Sequence, residues 1–544
     1  MIYGRLLPDP PQQNLWAFSS MPFPFTLPTV SPVSFSTHYI SLAYPSLPLA
    51  CSTHRGILRD SLKSHKRLPA PAQGANIKHI ISVTTEYLSY LQFLYKALQL
   101  GDVSPIPTAP EIGTAWTPTL ASTTRFGVPS SRERARGRGL EYEIFWAYST
   151  LAYAHSIQAR VLLIGFLSPP SSSPSPETSS TSQLLPQAIN HVLTSASIFN
   201  YLLSLPPPKN WQPGNEKNTL SLPHNISQPM LSSLASISLA SATLLAVLKT
   251  DPYPTYLAIT SNTRKNDNDH AYSKEYLYNP PNPPKGVKAL LFSRLCVAAS
   301  EHATKAQGAI SDIIRAGTVN EDYVRYIDEL RRAAKARGCR FLGVDAEAQG
   351  RLGEGIAWIK LARETLTGSV SASSSSTGEQ EGKGKKTLAS RMEKLRLSKS
   401  PPSPLSTFSS HTAASGNGGG LPLHLDPCTV YSELQVIESL DAKWTKMNDK
   451  LIFEKVPPTN SLIAKIPGGR EVHTVQQFAP VQLGEDSVNQ LRRGVSDSHH
   501  VSFGPGKGSA VDSSDEEEWR GEGGVVTEGS VDTGTRYQMP GGFY

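Results

Sequence analysis

Residues 226–248, ISQPMLSSLASISLASATLLAVL, carry no charged side chain over a stretch long enough to cross a bilayer. Such a segment has two homes. It spans a membrane, or it lies at the centre of a helical body that surrounds it, because a helix apolar on every side has no face to give to water. Six serines are spread around this helix, Pro229 sits near its start, and the flanks are ordinary. These features favour the core helix over a single membrane pass through 226–248.

The rest of the chain repeats the helical theme. Ser52 or Thr53 can cap a first helix with Ile57, Leu58 and Leu62 on one face. Ile77, Ile80, Ile81, Tyr87, Leu88, Leu91, Leu94, Tyr95 and Leu98 form the stripe of a second helix over 76–100, which stops at Gly101. Further helices are expected over 140–167, 184–205, 229–250, 287–315, 319–337 and 345–367. Asp426 and Pro427 open another, striped by Val430, Leu434, Ile437, Leu440, Trp444, Met447 and Leu451. Pro457 and Pro458 terminate it, and Leu462, Ile463 and Ile466 beyond need cover of their own. Residues 21–50, rich in Pro, Phe, Ser and Thr, read as extended chain or edge strands. The expected fold class is all-α, with solenoid-like helix pairs over about 52–480 and a short extended N-terminal segment.

Only 18% of residues are charged, while 44 are Pro and 40 are Gly, so long segments should lie outside any core. Three are expected to be disordered: an N-terminal extension over 1–20, an insertion at 369–420, and an acidic tail from 484 to 544. Residues 1–20 lack the apolar run of a secretory signal, and Met21 looks like the usual start. The net charge of +7 is uneven. From Gly484 onward there are 11 acidic and 5 basic residues, which leaves about +13 on residues 1–483. A basic body with an acidic tail suits an anionic partner: a membrane surface, an acidic protein or nucleic acid. Cys51, Cys296, Cys339 and Cys428 are scattered, as in a protein of a reducing compartment.

Motifs of catalysis are missing. There is no HExxH, no GxSxG and no Cys/His pattern with zinc spacing. GPGKGS (504–509) lacks the P-loop frame, and the glycines of GRLGEG (350–355) suit close helix packing better than a phosphate cradle. RERARGRG (132–139) reads as a solvated loop between helices, and KGKKTLASRMEKLRLSK (383–399) as a solvated linker element. Neither interleaves aromatic with basic residues, so no nucleic-acid partner is expected. The chain reads as a non-enzyme without cofactor or metal.

NDKLIFEKVPP (448–458), GEGIAWIKLARE (353–364), and LASATLLAVLKT (239–250) followed by LLFSRLCVAAS (290–300) together resemble the Bro-domain family, the boomerang-shaped helical domains of Alix and its fungal relatives. MPFPFTLPT (21–29), STHRGILRDSLKSHKRLP (52–69) and RGLEYEIFWAYSTLAYAHS (138–156) extend the resemblance to the family's fungal ambient-pH signalling branch. It covers roughly residues 21–480. One departure is visible: Ile452 stands where the family has an aromatic, with Phe453 displaced by one. The resemblance implies a cytoplasmic adaptor, peripheral at endosomal or plasma-membrane cortical sites. It would bind the C-terminal helix of the filament-forming ESCRT-III subunit and act with other pH-signalling components upstream of a transcription factor activated by proteolysis. A general multivesicular-body adaptor is the alternative. Laid over this sequence, the family pattern puts the partner groove at Val247, Leu291 and Leu295, with Ile359 as a further position.

Overall fold

The computed structural model describes residues 21–121, 134–167, 178–208, 224–249, 251, 288–368 and 428–493. Residues 1–20 and the expected insertion at 369–420 lie outside them. Helix α1 (Leu47–Arg67) has Pro48 in its first turn and packs on α2 (Ala70–Leu100). The expected caps, Ser52 and Thr53, lie inside α1 instead. Ser52 Oγ donates to the Pro48 carbonyl at 2.8 Å and accepts from the Phe35 amide at 2.8 Å. At the end of α2, Gly101 takes φ 85° and the Asp102 amide donates back to the Ala97 carbonyl at 2.9 Å. This left-handed stop is one that glycine adopts without steric penalty.

Then follow α3 (Leu140–Leu167), α4 (Thr178–Ser204), α5 (Gln228–Leu248), α6 (Ala289–Ala309), the short α7 (Ser311–Arg315), α8 (Glu321–Ala348), α9 (Leu352–Thr367) and α10 (Cys428–Met447). The long helices pack chiefly on their neighbours in sequence, α2 on α3, α3 on α4, and so on to α9 on α10, with α6 meeting α8. The extended N-terminal part supplies β1 (Tyr39–Ser41), which pairs antiparallel with β2 (Val103–Pro105). A second antiparallel pair joins β3 (Gly113–Trp116) to β4 (Ala135–Arg138). The basic run is therefore an edge strand over 135–138, not a loop. Alternation leaves Arg136 and Arg138 exposed, and Gly137 is required because a Cβ there would sit 2.4 Å from the Tyr142 ring.

The uncharged run forms α5, which packs against α4 and α6 and is buried over 78% of its most apolar window. Two of its buried serines meet tyrosines. Ser233 Oγ lies 3.0 Å from the Tyr323 hydroxyl, and Ser241 Oγ 3.2 Å from that of Tyr326, both on α8. The Tyr326 hydroxyl also meets the Met21 carbonyl at 3.1 Å. Phe23 sets its ring edge-on to Tyr323 and Tyr326 with centroids 5.2 and 5.3 Å away. The first described residues thus pack into the middle of the helical body.

Helix α8 runs further than expected, through Gly338 and Gly343, because both glycines sit at close crossings. A Cβ on Gly343 would lie 3.2 Å from the Gly355 carbonyl on α9, and one on Gly338 3.4 Å from the Ser293 carbonyl on α6. Gly350 provides the turn to α9 at φ 77°. The stripe of α10 buries Ile437, Leu440 and Trp444 but not Leu451, which is 75% exposed. The helix widens there into a π turn over Asn448–Ile452, and the periodicity ends with it. Leu462 is buried within α11 (Asn460–Ile463), whereas Ile463 faces water. The tail boundary at 484 also needs correction, since Glu485–Arg493 forms α12 and buries Leu491.

Two buried charge networks tie distant segments together. Arg55 of α1 pairs with Glu143 of α3 at 2.8 Å, and Glu143 also accepts from Tyr87 at 2.9 Å and Trp116 at 2.8 Å. Arg340 of α8 pairs with Asp251 and Glu433 at 2.6 Å each, and Arg337 reaches Glu433 at 3.1 Å. Burial opposes ionisation of Glu143 and Glu433, but the guanidiniums outweigh it and hold both carboxyls below their ordinary value.

Removing one member of such a network strands its partner. Glu433→Ala should therefore lower the unfolding free energy by about 3–5 kcal/mol in urea titration. Acid should act in two stages. Burial, and then the neighbouring His191, lower His155 to about 3, so only the unfolded chain takes that proton as pH falls below about 6.5. Stability should be complete above that value and decline beneath it. A further loss should follow below about 4.3, where unfolded glutamates protonate before Glu143 and Glu433 do. Urea midpoints measured across this range check both stages.

Candidate partner-docking site

The paired helices α5 and α6 carry three of the four expected groove residues, and burial separates them. Val247 is fully buried, and its carbonyl accepts from the Asp251 amide at 2.9 Å. Ile359 of α9 is also fully buried, against Gly343 of α8. Neither can touch a ligand on the surface. Both lie on helices with buried residues all round, where spacing alone cannot tell the inner from the outer face. Leu295 is 6% exposed, while Leu291, one turn earlier on the same face of α6, is half-buried. Leu290 beside it is 49% exposed and was not expected at the site. The accessible part of the predicted groove is the N-terminal end of α6.

A strap bounds this stripe. After α11 the chain runs without regular structure to Gly484 and crosses the helices in reverse chain order. On α6, the Arg470 amide donates to the Arg294 carbonyl at 3.0 Å, Arg294 Nε donates to the Gly468 carbonyl at 3.2 Å, and the Gly469 amide donates to Glu301 at 3.3 Å. His473 then meets the Ala242 carbonyl on α5 at 3.2 Å. Phe478 sits edge-on to Tyr148 of α3 and tilted against Tyr201 of α4, with centroids 5.7 and 5.5 Å away. Gln482 accepts from Lys96 of α2 at 2.8 Å, and Ser46 at the start of α1 donates to the Leu491 carbonyl at 3.1 Å. Leu291, Leu295 and Ala298 follow one ridge, and the strap closes over its Ala298 end. A Cβ on Gly469 would fall 2.7 Å from Ala298 Cα, so only glycine passes there.

A second surface lies where α10 ends. Asn448 clamps the turn by donating to the Glu454 carbonyl at 3.0 Å and accepting the Glu454 amide at 2.9 Å. The Phe453 amide closes on the Asn448 carbonyl at 2.8 Å, and Glu454 accepts the Gly353 amide at 2.6 Å, at the start of α9. This is the physical content of the NDKLIFEK signature: the asparagine holds a loop whose acid caps a neighbouring helix. The same turn leaves Leu451, Ile452 and Phe453 75%, 42% and 73% exposed.

Among the described residues, no group of three His, Cys, Asp or Glu side chains could hold a metal ion. Cys51, Cys296 and Cys339 are buried free thiols, and burial pushes the latter two up to about 12. No protein-family model matches the chain. Over 499 residues it is 33% identical to the pH-response regulator protein palC of Emericella nidulans, covering 87% of this chain and 92% of that protein. The chain belongs to the palC family. Among solved structures it is similar to a Bro1 domain studied for endosomal targeting, with TM-score 0.41 and 15% identity over 87% of this chain and 95% of the other. It is similar as well to the ALIX BRO1 domain in complex with CHMP4C, with TM-score 0.43 and 13% identity over 85% and 95%. ALIX bound to the SIVmac239 PYKEVTEDL late domain matches with TM-score 0.43 and 14% identity over 85% and 49%.

The strap's fit at one glycine gives a direct test of its part in this palC-family surface. Gly469→Ala should lift the segment from Ala298, with faster amide exchange over 467–478 and little change at α2 or α3. Measured exchange that stays as slow as in the parent would show that the strap is held elsewhere.

Proposed function

We propose that the chain is a non-catalytic adaptor of ambient-pH signalling that docks ESCRT-III at membranes. The observation that carries this reading is the identity, across nearly the whole chain, with a protein named a pH-response regulator. The Bro-like motifs support an ESCRT-III ligand, the C-terminal amphipathic helix of the filament-forming subunit, and the Leu291 end of α6 is where it binds. A ligand helix needs an accessible apolar ridge on a rigid support. Leu290 and Leu291 provide the access, and Leu295 and α5 behind them provide the support. The excess of basic residues before Gly484 supports peripheral, salt-sensitive attachment to anionic membranes at endosomal or cortical sites. Assembly there serves a membrane sensor and the protease that activates a pH-responsive transcription factor.

A binding titration of the full chain with the ESCRT-III helix peptide tests the reading. Leu291→Asp should cost about 2 kcal/mol or more of binding while the melting temperature hardly moves. Val247→Asp should instead lower the melting temperature, because it buries an unpaired charge. Unchanged affinity in Leu291→Asp removes α6 from the groove. In cells, the same allele should block transcription-factor processing at alkaline pH. A defect confined to multivesicular-body cargo would favour the general sorting role.

A further inference from the structure

The turn after α10 is built to present its apolar residues. Leu451, Ile452 and Phe453 follow one another and all face water, as does Ile463 nearby in the chain at 41% exposure. Nor is this a floppy loop that happens to be open. The Asn448 clamp and the Glu454 bond to Gly353 fix it at both ends. Among the described residues, Phe453 is the only non-glycine with positive φ, at 60°. A bulky residue rarely takes that conformation, and glycine would take it freely. The chain thus keeps an aromatic where the backbone favours glycine and the ring has no cover.

Charge says what would cover it. Lys450 and Lys455 flank the three apolar residues and Lys446 lies one turn before, all three exposed, while Lys465 beyond Ile463 is paired with Glu354 at 3.4 Å. Asp449 is the exposed acid of the turn, since Glu454 is turned inward to Gly353. The concavity beside the turn is lined by Glu438, Asp441, Thr445, Lys446, Asp449 and Lys450 and by none of the three apolar residues, so they form no apolar groove for a helix. An exposed apolar turn flanked by lysines matches an anionic bilayer interface, where apolar side chains enter between headgroups and lysines stay at their level. We propose that Leu451, Ile452 and Phe453 insert into an anionic lipid surface, with Lys446, Lys450 and Lys455 on its headgroups. This names the contact surface for the peripheral attachment proposed above, and it rests on that reading.

The test is sedimentation of the full chain with phosphatidylcholine vesicles, with and without phosphatidylserine. The parent protein should bind the anionic vesicles and release with salt. Leu451→Ser/Ile452→Ser/Phe453→Gly should bind at least tenfold more weakly at an unchanged or raised melting temperature, since glycine relieves the positive φ. Lys450→Glu/Lys455→Glu should lose the preference for phosphatidylserine. If the parent binds and the apolar variant binds equally well, this site is wrong while peripheral attachment stands. If the parent binds neither vesicle, both fall. Loss of cellular localisation without loss of vesicle binding would assign the turn to a protein partner and overturn the proposal.

Discussion

Arg340 has no exposed surface and is held by carboxylates from two remote segments, Asp251 at the end of α5 and Glu433 in α10. A guanidinium in that position is tolerable only if both acids arrive, because one left unpaired would cost several kcal/mol. The two acids also have a topological meaning. Asp251 lies just past the end of α5, and Glu433 lies in the first turns of α10. One buried cation on α8 therefore fixes the end of α5 and the start of α10 against the same helix. Glu143 does the same near the other end, where Arg55, Tyr87 and Trp116 bring α1, α2 and β3 to one carboxylate. Between these points the helices need only pack neighbour on neighbour.

The helical body was legible because each helix with water on one side writes a stripe. The stop of α2 at Gly101 and the burial of Ile437 and Trp444 followed from spacing alone. Where water was missing, spacing lost its information. Val247 and Ile359 sit on helices with buried residues on all sides, and only the packed structure shows that they point inward. The strand in the basic run was hidden for another reason. ARGR has no apolar face, and it pairs because β3 offers an edge and Gly137 lets the Tyr142 ring approach. Three apolar residues in a row between Lys450 and Lys455 were the missed signal of the α10 turn, since no single helix face can bury all three.

The strap links fold to surface. It touches α6, α5, α4, α3, α2 and α1 with few backbone hydrogen bonds. Such a segment resists peeling only through the sum of small contacts, so its hold on the Ala298 end of the α6 ridge is weaker than that of the helices beneath it. A ligand helix that extended beyond Leu295 would compete with the strap rather than with the core.

A role in pH response need not mean that this chain titrates in the alkaline range. Seven histidines, His54, His65, His155, His191, His224, His302 and His473, are displaced, each one downward and each chiefly by burial. An alkaline shift finds them already neutral. The buried thiols of Cys296 and Cys339 and the Tyr326 hydroxyl are pushed up to about 12, so they stay protonated through the same interval. These groups keep one charge state where the signal changes. A body so insulated suits a relay, whose state is set by what assembles on its surfaces, and the α6 ridge proposed for the ligand helix would act through apolar contact, which does not titrate.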